Sequence, residues 1–222
     1  IMTSFVVGLN TSQAANIFLN INSEQKPVAK TLIYDLFGEV VDDKKHSINR
    51  AADIARELND DDSSPYYRLI KFPGSPRGAG VIDLSTVVSS LKKELEPDGK
   101  FKVYNLKSLE YQRKALLNYF KALSWFYFEK NIWTVKTTNP FFINAGFNAA
   151  IEHFLLSVMP KCMEMGSFEI DTIKTILNLQ STKLITRNDI KSMDGKGARK
   201  KVREFLEEAM ISDLPKENEL RF

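Results

Sequence analysis

A chain of 222 residues, 43% hydrophobic and 27% charged, has ordinary globular usage, which excludes intrinsic disorder and collagen-like order and leaves room for one large domain or two small ones. One cysteine, Cys162, and two histidines, His46 and His153, exclude an internal disulfide framework, a cysteine-based zinc site and a multi-histidine metal site. The net charge of +3, from 31 basic against 28 acidic residues, is too balanced to announce a nucleic-acid binder, and no apolar run approaches the ~20 residues of a membrane helix, so the chain reads as soluble and cytoplasmic, without a membrane partner.

Phe5, Val6 and Val7 read as the tail of a strand whose beginning lies outside the chain. Thr11 or Ser12 then caps a helix with Ala14, Ile17 and Phe18 on one face. Residues 22–27 break it, because Pro27 biases Lys26 toward an extended backbone. A second helix is expected over 28–41, with Leu32, Ile33, Leu36 and Phe37 as its apolar face. A third is expected over 47–58, capped by Ser47 and carrying Ile48, Ala51, Ala52 and Ala55. After the turn-rich stretch 59–65, short strands are expected at 67–72 and 80–83, joined by a Pro/Gly segment.

Ser85 caps the next helix, which reaches about Leu95 and is closed by Pro97, Asp98 and Gly99. The longest helix is expected over 108–132. Another starts at Asn139-Pro140 and runs to 159, with Pro160 as its stop. Two more follow at 170–179 and 196–210, and the charged tail from Ser212 is expected to fray. The fold class is therefore mainly α with a small β component. A domain boundary near 97–105 separates residues 1–100 from an all-helical 101–211, with 212–222 as the tail.

The clearest charge signal lies in residues 183–203. Lys183, Arg187, Lys191, Lys196, Arg199, Lys200, Lys201 and Arg203 stand against Asp189 and Asp194, a local net charge of +6 that leaves the rest of the chain at −3. Gly195-Lys196-Gly197 precedes a helix, whose free N–H groups favour phosphate, although the P-loop pattern is absent. Arg187, Lys191, Lys196, Arg199, Lys200, Lys201 and Arg203 are the candidate DNA-contacting residues. The competing reading is a solvated basic face paired with Glu204, Glu207 and Glu208.

A second candidate is the loop at 22–27. Asn22, Ser23 and Gln25 can read hydrogen-bonding edges and Lys26 can offset phosphate charge, or the loop is simply a helix connector. The acidic group Glu57, Asp60, Asp61 and Asp62 lacks the alternating spacing and glycine of a calcium loop, so it reads as a solvated turn and no metal site is assigned. The aromatic run 125–128 with Trp133, Phe141 and Phe142 reads as core rather than a base-stacking surface. His153 reads as a satisfied, semi-buried histidine. Lys161 beside Cys162 would lower the thiol pKa, but no partner makes that thiol catalytic.

The stretch 13–28, Gln13-Ala14 through Phe18 and Ile21-Asn22 to Gln25-Lys26-Pro27-Val28, resembles the "QA-x-x-F-x-x-IN-x-x-QKPV" segment of DGQHR-domain proteins, which include the DndB-like proteins of DNA phosphorothioation gene clusters. Leu32 to Leu36, Glu57 to Pro65, Leu69 to Lys71, Asn118 to Ala122 and Lys136 to Ala149 continue the similarity, which covers most of residues 5–160 and is weak beyond 165. The resemblance implies a ParB/sulfiredoxin-like domain remnant in 1–100, followed by the helical domain. The family's Asp-Gly-Gln-His-Arg motif is absent, so the chain is a C-terminal fragment or a protein without that motif.

Three functions follow as expectations. The first is a DNA-associated regulatory or accessory protein of a bacterial DNA-modification or defence system, acting with other proteins of that system. In it the basic region contacts phosphates, while Asn22, Ser23, Gln25 and Lys26 line the cleft that the missing motif completes. The second is a ParB-like NTPase, or a nuclease coupled to one, in which a nucleotide is used only when the upstream motif is present. The third is a helical protein-interaction module.

Overall fold

The structure is a computed structural model that describes residues 8–10, 13, 14, 17, 29–40, 46–76, 80–135 and 139–210. The expected strand at 5–7, the loop at 22–27 and the tail from 212 lie outside the described residues. Gln13, Ala14 and Ile17 are helical. The elements that follow are α1 (Lys30–Val40), α2 (Ser47–Asp60), β1 (Ile70–Lys71), β2 (Ile82–Asp83), α3 (Leu84–Leu91), the single turn α4 (Lys100–Val103) and α5 (Leu109–Phe128). After these come α6 (Asn144–His153), α7 (Met159–Met165), α8 (Ile170–Leu177) and α9 (Gly195–Ala209), with 3₁₀ turns at Pro140–Phe142, Leu179–Ser181 and Arg187–Ile190. The protein is mainly helical with one small sheet, as the apolar periodicity predicts.

The helices share one core. Helix α2 packs on α1, α3 and α5, and α5 packs on α8. Helix α6 lies between α3 and α9. Ala51, Ile54, Ala55 and Leu58 of α2, Val87 and Leu91 of α3, and Leu116, Tyr119, Phe120 and Leu123 of α5 are buried in a cluster that continues through Phe147, Phe154, Ile173, Val202 and Leu206. The core is thus continuous across residues 97–105, where Phe101 and Leu106 are themselves buried. Tyr66 ties the loop after α2 into this core. Its ring meets Phe120 and Phe147 edge-on at 4.9 and 5.1 Å, and its hydroxyl donates to the Phe141 carbonyl at 3.1 Å. Trp133, Phe141 and Phe142 are buried beside it, as are Phe126 and Tyr127, but Trp125 and Phe128, expected in the core with them, lie on the outer face of α5 and are exposed.

Several element ends differ from expectation, each for a local reason. His46, not Ser47, caps α2: its Nδ1 accepts from Ile48 N at 3.3 Å. Arg68 is left-handed (φ 56°), which ends any extended run at 67–69 and leaves β1 only two residues. It pairs in parallel with β2, Ile70 opposite Ile82. Gly80 makes this possible, with φ +74° and a backbone so close to β1 that a Cβ would sit 2.7 Å from Lys71 N. Helix α3 begins at Leu84 rather than Ser85, and its N-cap Asp83 instead accepts from Asn144 Nδ2 at 2.6 Å. Helix α5 stops at Phe128, not 132, because Asn131 turns left-handed (φ 55°) and Ile132 N bonds back to Tyr127 O. Asn178 (φ 48°) ends α8 in the same way.

Pro160 does not stop the helix that precedes it. Its ring would crowd the carbonyl one α-turn back. A π turn at Phe154–Val158, in which Met159 N bonds Phe154 O, opens the backbone just before the proline, and the chain resumes as α7 with Pro160 in its first turn. One nearly continuous helical rod therefore runs from Asn144 to Met165.

Candidate nucleic-acid interface

Helix α9 positions the candidate basic residues. Asp194 caps it, Oδ1 accepting from Gly197 N at 2.6 Å. Ala198, Val202, Leu206 and Ala209 recur at spacings of four, four and three, and this buried stripe packs on α6. The stripe leaves Lys196, Lys200 and Lys201 exposed and Arg199 and Arg203 at its margins. A groove of about 550 Å³ opens there, walled by Lys196, Arg199, Lys200 and Arg203 together with Glu152 of α6 and Asp194.

The cations of this groove differ in how far the fold already uses them. Arg199 is held by Glu152 as a two-pronged pair, Nε to Oε2 at 2.7 Å and Nη2 to Oε1 at 2.5 Å. Lys200 and Arg203 stand 3.6 Å from Glu204 and Glu207, one turn along. These are long, partly solvated contacts of little energetic weight. Lys196, Lys201 and Lys191 make no salt bridge among the described residues.

Arg187 lies apart from the groove. Its guanidinium donates to the carbonyls of Asn139 and Phe142 at 2.9 and 3.0 Å, fastening the Arg187–Ile190 turn to the Pro140–Phe142 turn. Its place is explained by the fold, whereas Lys191, Lys196, Lys200 and Lys201 have no comparable structural employment.

The order of charge along α9 opposes its own dipole. Four of its bases fall in the first two turns, with no acid in the first turn, and Glu204, Glu207 and Glu208 follow toward the C-terminus, where no base balances the last turn. The dipole acts within the first turn, so an exposed cation there, Lys196, is unfavourable by about 0.3–1 kcal/mol, set against the capping carboxylate of Asp194. A sequence that runs against this preference on an exposed face has concentrated positive potential where the free backbone N–H groups already contribute some.

The other candidate positions separate clearly. Asn22, Ser23, Gln25 and Lys26 lie outside the described residues. Glu57 pairs with Arg113 at 3.5 Å, Asp60 accepts from Asn59 Nδ2, and Asp61 accepts from the Ser63 amide and hydroxyl, which lower its carboxyl pKa. Among the described residues no group of three His, Cys, Asp or Glu side chains is placed to hold a metal ion, and no helix is long and apolar enough to cross a membrane.

Cys162 corrects an expectation: the thiol is buried, and desolvation raises its pKa instead of Lys161 lowering it. His153 is fully buried rather than semi-buried, between Tyr119 Oη at 3.1 Å and Met210 Sδ at 2.9 Å.

Sequence reasoning nominates the bases of α9 but misses Glu152, the acid that organises them. It lies 47 residues upstream on another helix, and no local spacing links it to Arg199. The chain matches no protein-family model, no curated protein and no solved structure.

Proposed function

We propose that this protein is a DNA-associated regulatory or accessory component of a bacterial DNA-modification or defence system, of the DGQHR-domain kind that most of residues 5–160 resemble. It acts in the cytoplasm, where it meets DNA together with other proteins of that system. The observation that carries the reading is the exposed basic half of α9. Lys196 in the first turn and Lys200 and Lys201 in the second are all exposed, and the fold makes little use of them. Contacts of lysine with backbone phosphate are sequence-independent, so α9 supplies affinity and orientation, while any choice of site comes from elsewhere.

Counterion release provides the test. Fluorescence anisotropy of a labelled duplex titrated with the protein at about 50 and 200 mM salt should show affinity falling roughly a hundredfold or more, as expected for several phosphate contacts. Reversing Lys196, Lys200 and Lys201 to Glu should abolish most of the binding and flatten its salt dependence. Unchanged affinity and salt slope in that folded variant would remove α9 from the interface, and no binding by the parent protein at low salt would overturn the reading itself.

A further inference from the structure

The α9 groove has a continuation on the other side of α6. A second groove, about 370 Å³, runs between α3, α4 and α6, and it is walled by Lys93, Glu94, Lys100 and Asn148, with Leu155 and Leu156 on its apolar side. The two grooves share a wall made of Glu152 and Arg199. This follows from the packing order: α6 lies between α3 and α9, so the outward ridge carrying Asn148 and Glu152, one turn apart, borders both. Lys93 and Lys100 face the second groove as Lys196 and Lys200 face the first. Among the described residues neither Lys93 nor Lys100 is in a salt bridge.

We infer that the two grooves form one cleft for a nucleic-acid backbone, with Lys93 and Lys100 as a second set of phosphate contacts, and that Glu152 holds Arg199 in the free protein in the manner of a phosphate. The inference rests on the DNA reading above and extends it to helices remote from α9 in the sequence. A guanidinium fork matches a carboxylate and a phosphate by the same two-pronged geometry, so whichever anion is present can occupy Arg199. The pair is exposed enough to exchange, with side-chain exposures of 43% for Arg199 and 30% for Glu152. A solvated pair of this kind contributes little to stability. Its position is the informative part: Asp194 and Glu94 each line one groove, whereas Glu152 is the acid common to both and sits at their junction, where a bound backbone would have to displace it.

Glu152→Gln is the decisive variant, because it predicts a gain that a damaged fold does not produce. It removes the competing charge and releases Arg199, so duplex affinity at about 100 mM salt should rise roughly three- to tenfold, with a salt slope steeper by about one contact. The gain should vanish when Arg199 is also replaced by Ala. Lys93→Ala with Lys100→Ala should weaken binding tenfold or more and reduce the slope by about two. If the parent protein binds DNA and the α9 reversals weaken it, while Glu152→Gln and the Lys93/Lys100 pair change neither affinity nor slope, the single cleft is wrong and the α9 interface stands. If the parent protein does not bind, both fall together.

Discussion

His153 is held between two partners that leave it one tautomer. A thioether has no proton to give, so Nε2 carries the hydrogen and donates it to Met210 Sδ, and Nδ1 accepts from the Tyr119 hydroxyl. Burial pushes the Tyr119 phenol pKa up, so it remains a donor. Burial, with a smaller contribution from the positive charge of Arg203, holds the His153 pKa down to about 3, against an ordinary value of 6.5. Between those values the unfolded chain binds a proton at this residue and the folded chain does not, so stability rises with pH across that window. The contribution is fully present above about pH 6.5 and is lost as pH falls toward 3, at up to about 1.4 kcal/mol per pH unit. Urea unfolding measured from pH 5 to 6.5 should show this slope, and His153→Gln should lose it. An imidazole NMR titration with a midpoint near 6 in the folded protein would contradict the assignment. The same desolvation accounts for Cys162, whose buried thiol sits in the core as a small apolar side chain.

At the scale of single elements, the rod from Asn144 to Met165 shows how backbone chemistry and packing share control. Pro160 is a strong local stop signal, yet the π turn before it keeps Phe154, Leu155 and Val158 buried and carries the chain on to Met159 and Cys162 in the same core. Tertiary burial outweighs the local preference here. Gly146, in the first turn of α6, is a second case. In an open helix Gly→Ala stabilises by about 1 kcal/mol, but a Cβ at this position would run into the carbonyl of Pro140. Relieving that contact requires α6 to move off the Pro140–Phe142 turn that it packs against. Gly146→Ala should therefore destabilise the protein by about 1–3 kcal/mol, the range seen when a packed interior is overfilled. A denaturation midpoint equal to or above the parent's would show that the turn yields easily.

Across the whole molecule, the continuous core argues for one cooperative unit. Phe101 and Leu106 are buried in the stretch that reads as a boundary in the sequence, and α2 and α3 pack into the same cluster as α5 and α6. Two halves joined this way should unfold together. Trp133 lies in the core beside Tyr66, while helical signal comes from elements on both sides of residue 100. Tryptophan fluorescence and far-ultraviolet circular dichroism should therefore give superimposable urea transitions. Two separated midpoints would support a boundary near 97–105.

Helical class, the burial of Phe126, Tyr127, Trp133, Phe141 and Phe142 and the basic character of 183–203 are legible in the sequence because each rests on neighbours in the chain, whereas Trp125 and Phe128 of the same aromatic run are exposed. Apolar residues three and four apart select a helix face, as in the Ala198, Val202 and Leu206 stripe, and that face dictates which bases of α9 remain outside. Element ends are less legible: the stops at Asn131 and Asn178 depend on left-handed backbone that no hydrophobic period encodes, and the passage through Pro160 depends on what the next turn can bury. The candidate cleft itself was decided by tertiary structure. Glu152 meets Arg199, and Lys93 and Lys100 come alongside α9, only because α6 packs between α3 and α9. Electrostatic contact depends on distance in space, and composition and spacing report only distance along the chain.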